Sequence, residues 1–201
     1  MNTGLLRRFN DILPSLEDRD YLLAKVACEV APTLMGLKPA TLMSFGAHGR
    51  NLRQLWGKFK PEAEAVLQLQ YFEMKNSEKH TLVLFYRHDL LESMLDCSET
   101  RALLRRMGYE SAVTAAQILP LLQAKFEQVF PHEVGLLLGI PAKDVTGFID
   151  NKGADCLLCG YWKVYHEPRQ ASNLFQLYDR AKSKVMQRIC RLQALEESAS
   201  A

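Results

Sequence analysis

Apolar and polar positions divide the 201-residue chain into a helical start, a strand-rich middle and a long helical remainder. Over residues 16–30, Tyr21, Leu22, Val26 and Val30 recur at helical spacing, and Pro32 and Gly36 close the helix they predict. Residues 41–45 read as a short strand bounded by Gly46 and Gly49, and residues 51–59 as a short helix. Residues 66–74 alternate, with Leu67, Leu69 and Tyr71 against Gln68 and Gln70, the signature of a strand with one wet face. After a turn at residues 75–78, residues 81–86 form a continuous apolar run, expected of a central strand buried on both faces. The two runs are expected to pair as an antiparallel hairpin.

Helices follow at residues 89–95 and 99–107, the second ended by Gly108. Ser111 is a cap for a helix reaching Val129, which Pro120 should kink or split. Short helices begin at Pro131 and Pro141 and stop at Gly139 and near Gly153. Residues 158–165 read as the last strand. From Pro168 a long helix carries Leu174, Leu177, Tyr178, Ala181, Val185, Ile189 and Leu192 on one stripe. Helices that cluster rather than alternate with strands predict an α+β fold: a small, mainly antiparallel sheet of three to four strands surrounded by seven to nine helices. Without a linker or repeat, the chain is expected to form a single domain over residues 1–195 with a frayed tail at 196–201. A chain of this size buries about 70% of its unfolded surface without a disulfide or metal staple.

Charge narrows the function classes. Twenty-five basic and 23 acidic residues leave a net charge of +2, which argues against bulk binding to nucleic acid or to an anionic membrane. Cys28, Cys97, Cys156, Cys159 and Cys190 are odd in number and scattered, unlike a secreted disulfide framework. The N-terminus lacks a signal-peptide pattern, and no apolar run approaches the roughly 20 residues of a membrane span, so a cytoplasmic location is expected. The main nucleotide-binding and hydrolase signatures are absent.

Candidate chemistry concentrates in residues 130–165. Gly135 at a helix crossing, Gly139 at a turn, and Val145 and Phe148 packing back match a helix-turn-helix. Its second helix offers Lys143 but also Asp144 and Asp150 and no Arg, so a DNA-binding regulator is poorly matched and a helical hairpin serving as architecture is favoured. Cys156 and Cys159 have the spacing of a metal-binding or redox pair. A closed zinc site would have to recruit His132, His166 or Cys190, and the pair enters a strand, which favours structural thiols.

Period-two alternation places Cys159, Tyr161, Lys163 and Tyr165 on one strand face, with Trp162 and Val164 toward the core. A cation between two phenols suits an anionic or aromatic ligand, although Lys163 lying over exposed rings is the plainer reading. Glu133 complements a positive helix end, and His132 beside it is a candidate base, metal ligand or haem ligand, or a local cap. Lys38 before the first strand and Tyr86 at the end of the central strand complete the ligand-binding candidates. Arg180, Lys184, Arg188 and Arg191 form a basic stripe that suits either an acidic partner or a solvated face.

The run Phe130-Pro131-His132-Glu133-Val134-Gly135, the following Leu138-Gly139-Ile140-Pro141, Asp144-Val145, Gly147-Phe148-Ile149 and the block Gly160-Tyr161-Trp162-Lys163-Val164-Tyr165 resemble a bacterial family of domains of unknown function numbered 3793, common in anaerobes. Lys38-Pro39-Ala40, Leu84-Phe85-Tyr86 and Gly108-Tyr109 resemble its upstream motifs, so the likeness covers about residues 37–178; Cys156 has no match in its pattern. The resemblance implies a setting in iron acquisition or flavodoxin-related metabolism. The resulting expectation is a protein, enzyme or not, that binds a cofactor or small ligand (haem, iron or flavin-related) in iron or redox metabolism. Two alternatives stand beside it: a module docking an acidic redox protein such as a flavodoxin through the basic helix, and a DNA-binding regulator.

Overall fold

The computed structural model describes residues 3–110 and 114–199. A helical layer opens the chain: α1 (Thr3–Ile12), a 3-10 turn (Leu13–Ser15), α2 (Asp18–Glu29) and α3 (Ala31–Leu34). β1 (Ala40–Gly46) follows, then α4 (Leu52–Leu67) and the hairpin β2 (Gln70–Asn76) and β3 (His80–Tyr86). The remainder is α5 (His88–Asp96), α6 (Ser98–Arg106), α7 (Ala115–Phe126), α8 (Val134–Leu137), α9 (Ala142–Asp150), β4 (Leu158–Cys159), β5 (Lys163–Val164) and α10 (Pro168–Ala199). The class is α+β, as expected. α1 and α3 are additional, which brings the helices to ten among the described residues.

The apolar run at β3 does become the central strand. The sheet order is β1-β3-β2, both pairings are antiparallel, and Ala40 stands opposite Tyr86. Successive β3 residues enter opposite cores. Leu84 packs with Leu91, Leu95, Leu122 and Leu136 beneath α5 to α9, whereas Val83 and Phe85 pack with Leu22, Val26, Phe45 and Trp56 beneath α2 and α4. A third core, Phe9, Leu13, Ala24, Cys28, Met186 and Cys190, joins α1 and α2 to α10. Among the described residues no helix is long and apolar enough to cross a membrane.

Two element boundaries differ from expectation. α4 continues past residue 59 to Leu67, burying Leu55, Trp56 and Ala63 on one face, and ends where Gln68 turns left-handed at φ 53°. The alternation at residues 66–74 therefore crosses a helix end, and β2 begins only at Gln70. Residues 158–165 are not one strand but two short ones, with Leu158 opposite Val164 and Cys159 opposite Lys163. The chain reverses at residues 160–162, and Gly160 in that turn lies directly under the Phe175 ring: a Cβ there would stand 2.2 Å from Phe175 Cε2. The resulting ribbon is separate from the main sheet.

α7 runs through Pro120 as one helix, started by a capping box between Thr114 and Gln117. The expected Ser111 cap lies outside the described residues.

Candidate functional site: an apolar pocket walled by α8, α9 and the ribbon

The helical hairpin expected at residues 131–151 is present. Gly135 brings α8 against α9, and a Cβ on it would stand 3.2 Å from Val145 Cγ2 and 3.4 Å from Ile140 Cδ1. Gly139 turns the chain at φ +81° against Pro39, where a side chain has no room. The hairpin and the ribbon border an open pocket of about 300 Å³. Its walls are apolar and partly aromatic: Phe130, Val134, Leu138, Ile140, Val145, Phe148 and Trp162. Its polar groups are His132, Asp144 and Lys163. The His132 ring tilts onto Phe148 with centroids 5.2 Å apart. The Lys163 ammonium donates to the Gly153 carbonyl at 2.6 Å, just past the end of α9, where the helix dipole is negative.

Asp144, in the first turn of α9, holds the ribbon wall in place. Its side chain is only 2% exposed. Oδ2 accepts the Trp162 indole N–H at 2.8 Å, and Oδ1 accepts the backbone N–H groups of Tyr165 at 2.8 Å and His166 at 2.9 Å. His166 Nδ1 stands 3.8 Å from the same oxygen. A buried carboxylate is retained where hydrogen bonds replace its lost hydration, and three N–H donors do so here. One turn later, Gly147 receives the Tyr165 ring, which leaves no space for a Cβ. Tyr165 also donates its hydroxyl to the Ala154 carbonyl at 3.0 Å.

A family model described as protein of unknown function (DUF3793) matches residues 26–198. The chain belongs to the DUF3793 family. The matched span includes the pocket, Asp144 and nearly all of α10, and it agrees with the motif resemblance. No curated protein and no solved structure matches the chain.

In this DUF3793 protein, two of the sequence-derived candidates, His132 and Lys163, meet at the pocket. The expected face of Cys159, Tyr161, Lys163 and Tyr165 does not exist, because the turn at residues 160–162 resets the alternation. Tyr161 instead leans on Phe175 and Tyr178 of α10 and donates its hydroxyl to Asp179 at 2.9 Å. Burial, the Asp179 hydrogen bond and nearby negative charges push its phenol well above the usual range. Tyr165 turns to α9, and Cys159 faces solvent. Val164 is buried as expected, while Trp162 becomes a pocket wall.

Glu133 is also reassigned. It is buried and accepts the Tyr109 hydroxyl at 2.9 Å and the Lys125 ammonium at 2.7 Å. Burial pushes its carboxyl up, but Lys125, its own backbone N–H and Tyr109 outweigh that and hold it below the ordinary carboxylate range. It sits in a buried network and does not line the pocket.

Lys38 lies over the Tyr178 ring at 5.7 Å, and burial together with nearby Lys182 pulls its ammonium down to about 8. Tyr86 sits at the end of β3, its phenol pushed up by burial and by Glu64 and Glu92. Neither lines the pocket.

Among the described residues, no group of three or more His, Cys, Asp or Glu could hold a metal. Cys190 is buried in the third core, and His166 lies beside Asp144, so these do not gather at Cys156 and Cys159. Arg180, Lys184, Arg188 and Arg191 are exposed and form no ion pair among the described residues.

The residue that sequence reasoning missed is Asp144. It stands in the family-like motif and its charge counts against DNA recognition, but nothing in the local pattern reveals partners 18 to 22 positions away.

Proposed function

We propose that this protein binds a small, largely apolar ligand with a polar or anionic end in the pocket between α8, α9 and the ribbon. The observation that carries this reading is a cavity of about 300 Å³ with aromatic walls and two basic side chains, His132 and Lys163, among its lining. Pockets for drug-sized ligands span about 300–1,000 Å³, so this one stands at the small end. That size favours one or two rings, or a short acyl chain, over a haem macrocycle or a flavin with its nucleotide tail. Lys163 and His132 supply polar hydrogen-bond donors in an otherwise apolar lining, which suits a polar or carboxylate group at the ligand's outer end. None of the lining residues is Ser, Thr or Cys, and Asp144 is already engaged by three N–H groups. These features support binding rather than nucleophilic catalysis.

Titration calorimetry with naphthoate, octanoate, hemin and flavin mononucleotide tests the proposal, with Trp162 emission as a second signal. Naphthoate or octanoate is expected to bind, and Leu138→Trp, which fills the cavity, is expected to abolish binding. Absence of binding by all four compounds, or binding unchanged in L138W, sinks the idea. Hemin binding that is lost in His132→Ala would replace it with a haem-binding role.

A further inference from the structure

The amine of Lys38 lies outside the pocket, and the inference drawn from it does not depend on the ligand-binding reading. Tyr161 of the ribbon and Tyr178 of α10 meet edge to face, with ring centroids 5.1 Å apart. A lysine ammonium stands over each ring: Lys182 at 5.6 Å from Tyr161 and Lys38 at 5.7 Å from Tyr178. The two cations are not equivalent. Lys182 pairs with Glu29 of α2 at 2.7 Å. Lys38 has neither a carboxylate nor a hydrogen-bond acceptor as partner among the described residues. The carboxylate of Asp179 accepts the Tyr161 hydroxyl at 2.9 Å.

The backbone beside Lys38 is fixed. Pro39 packs on the Gly139 turn, 2.8 Å from where a Cβ would stand, and its carbonyl accepts the Arg87 N–H at 3.0 Å. The Lys38 side chain is half-buried, and Tyr178 beneath it is only 2% exposed. An ammonium held there without a counter-ion loses hydration that the ring face replaces only in part. Burial, with the charge of Lys182 adding to it, pulls Lys38 down to about 8. At pH 8 about half of it is therefore the free amine, against about 0.4% of an ordinary lysine.

A free lysine amine attacks carbonyl carbons, and its surroundings favour one kind of product over another. A protonated Schiff base would keep the cation beside Lys182, and an amide would be neutral. A carbamate is an anion, so it turns repulsion from Lys182 into attraction. CO2 is also small enough to reach a half-buried amine without a formed pocket. We propose that Lys38 is a site of reversible carbamate formation, its Nζ adding CO2 to give an anion beside Lys182. In that step the amine lone pair forms the N–C bond, one C=O π pair moves onto oxygen, and the nitrogen releases one proton to water. Nothing is oxidised or reduced.

The test equilibrates the whole chain with 13C-labelled CO2 and bicarbonate at pH 8 and reads carbamate by 13C NMR. Triethyloxonium then traps it as an ethyl ester, which peptide mass spectrometry locates. The α-amino group titrates in the same range and serves as the internal reference. Carbamate on Lys38 is expected, and it should vanish in Lys38→Arg, which keeps a cation at the end of the side chain. Lys182→Gln should lower its occupancy by about threefold or more, because it removes the attraction and lets the amine hold its proton more tightly. Thermal melts confirm that both variants are folded, and the parent with K38R alone decides the site. The proposal fails if carbamate forms only on the α-amino group, survives K38R, or is unchanged in a folded K182Q. It also fails if the label is held only as bicarbonate that cannot be trapped, or if acetyl phosphate acylates Lys38 under conditions where CO2 leaves it unmodified.

Discussion

Asp144 and Gly147 lie one turn apart on α9 and constrain Tyr165 from two directions. The carboxylate holds the Tyr165 backbone N–H at 2.8 Å, while a Cβ at position 147 would stand 2.6 Å from Tyr165 Cγ. The ring cannot retreat without stretching that hydrogen bond. Gly147→Ala is therefore expected to destabilise the fold by about 1–3 kcal/mol, the usual range for overpacking. Gly57 offers the opposite case within α4, since nothing stands within 4 Å of a Cβ built there. Gly57→Ala should stabilise by about 1 kcal/mol through helix propensity alone. Urea denaturation of the two variants gives both numbers, and equal effects would show that the close approach at Gly147 relaxes freely.

At the scale of elements, the network of Tyr109, Lys125 and Glu133 ties the loop before α7, α7 itself and the start of α8 together. Because the folded Glu133 carboxyl titrates below its unfolded value, its contribution is complete above the ordinary carboxylate pKa and is lost as pH falls through the folded one. Glu133→Gln should lower the melting temperature at neutral pH and flatten its decline in acid. Parallel melting curves for parent and variant across the acid range would refute the linkage. The same network shows what the sequence hides. A continuous apolar run marks β3, which is buried on both faces, and apolar periodicity marks α5, α6 and α10, each of which buries one face that its own residues define. Periodicity misplaces the start of β2, where Leu67 and Leu69 lie on either side of a helix end, and misreads residues 158–165, where the chain turns at residues 160–162 with Gly160 under the Phe175 ring. His132 is legible from its place at a helix start, whereas Lys163 is reached from a strand face that the turn at residues 160–162 dissolves. Glu133 was visible too, but only a tertiary structure shows it facing Lys125 rather than solvent.

At the scale of the molecule, the sheet lies between two helical layers, and α10 closes one end by packing on α1, α2 and α3. Contacts of very different span maintain this arrangement. Pairing of β1 with β3 joins Ala40 to Tyr86 across 46 positions, whereas Asp144 reaches its three donors across 18 to 22. Closing the longer loop costs about 0.7 kcal/mol more in chain entropy. On chain entropy alone, α9 and the ribbon are expected to join before β1 completes the sheet. Stopped-flow kinetics can observe that order: Asp144→Asn should mainly slow refolding, and Ala40→Gly should mainly hasten unfolding. The reverse partition would mean that the sheet assembles first and that Asp144 closes a structure already formed.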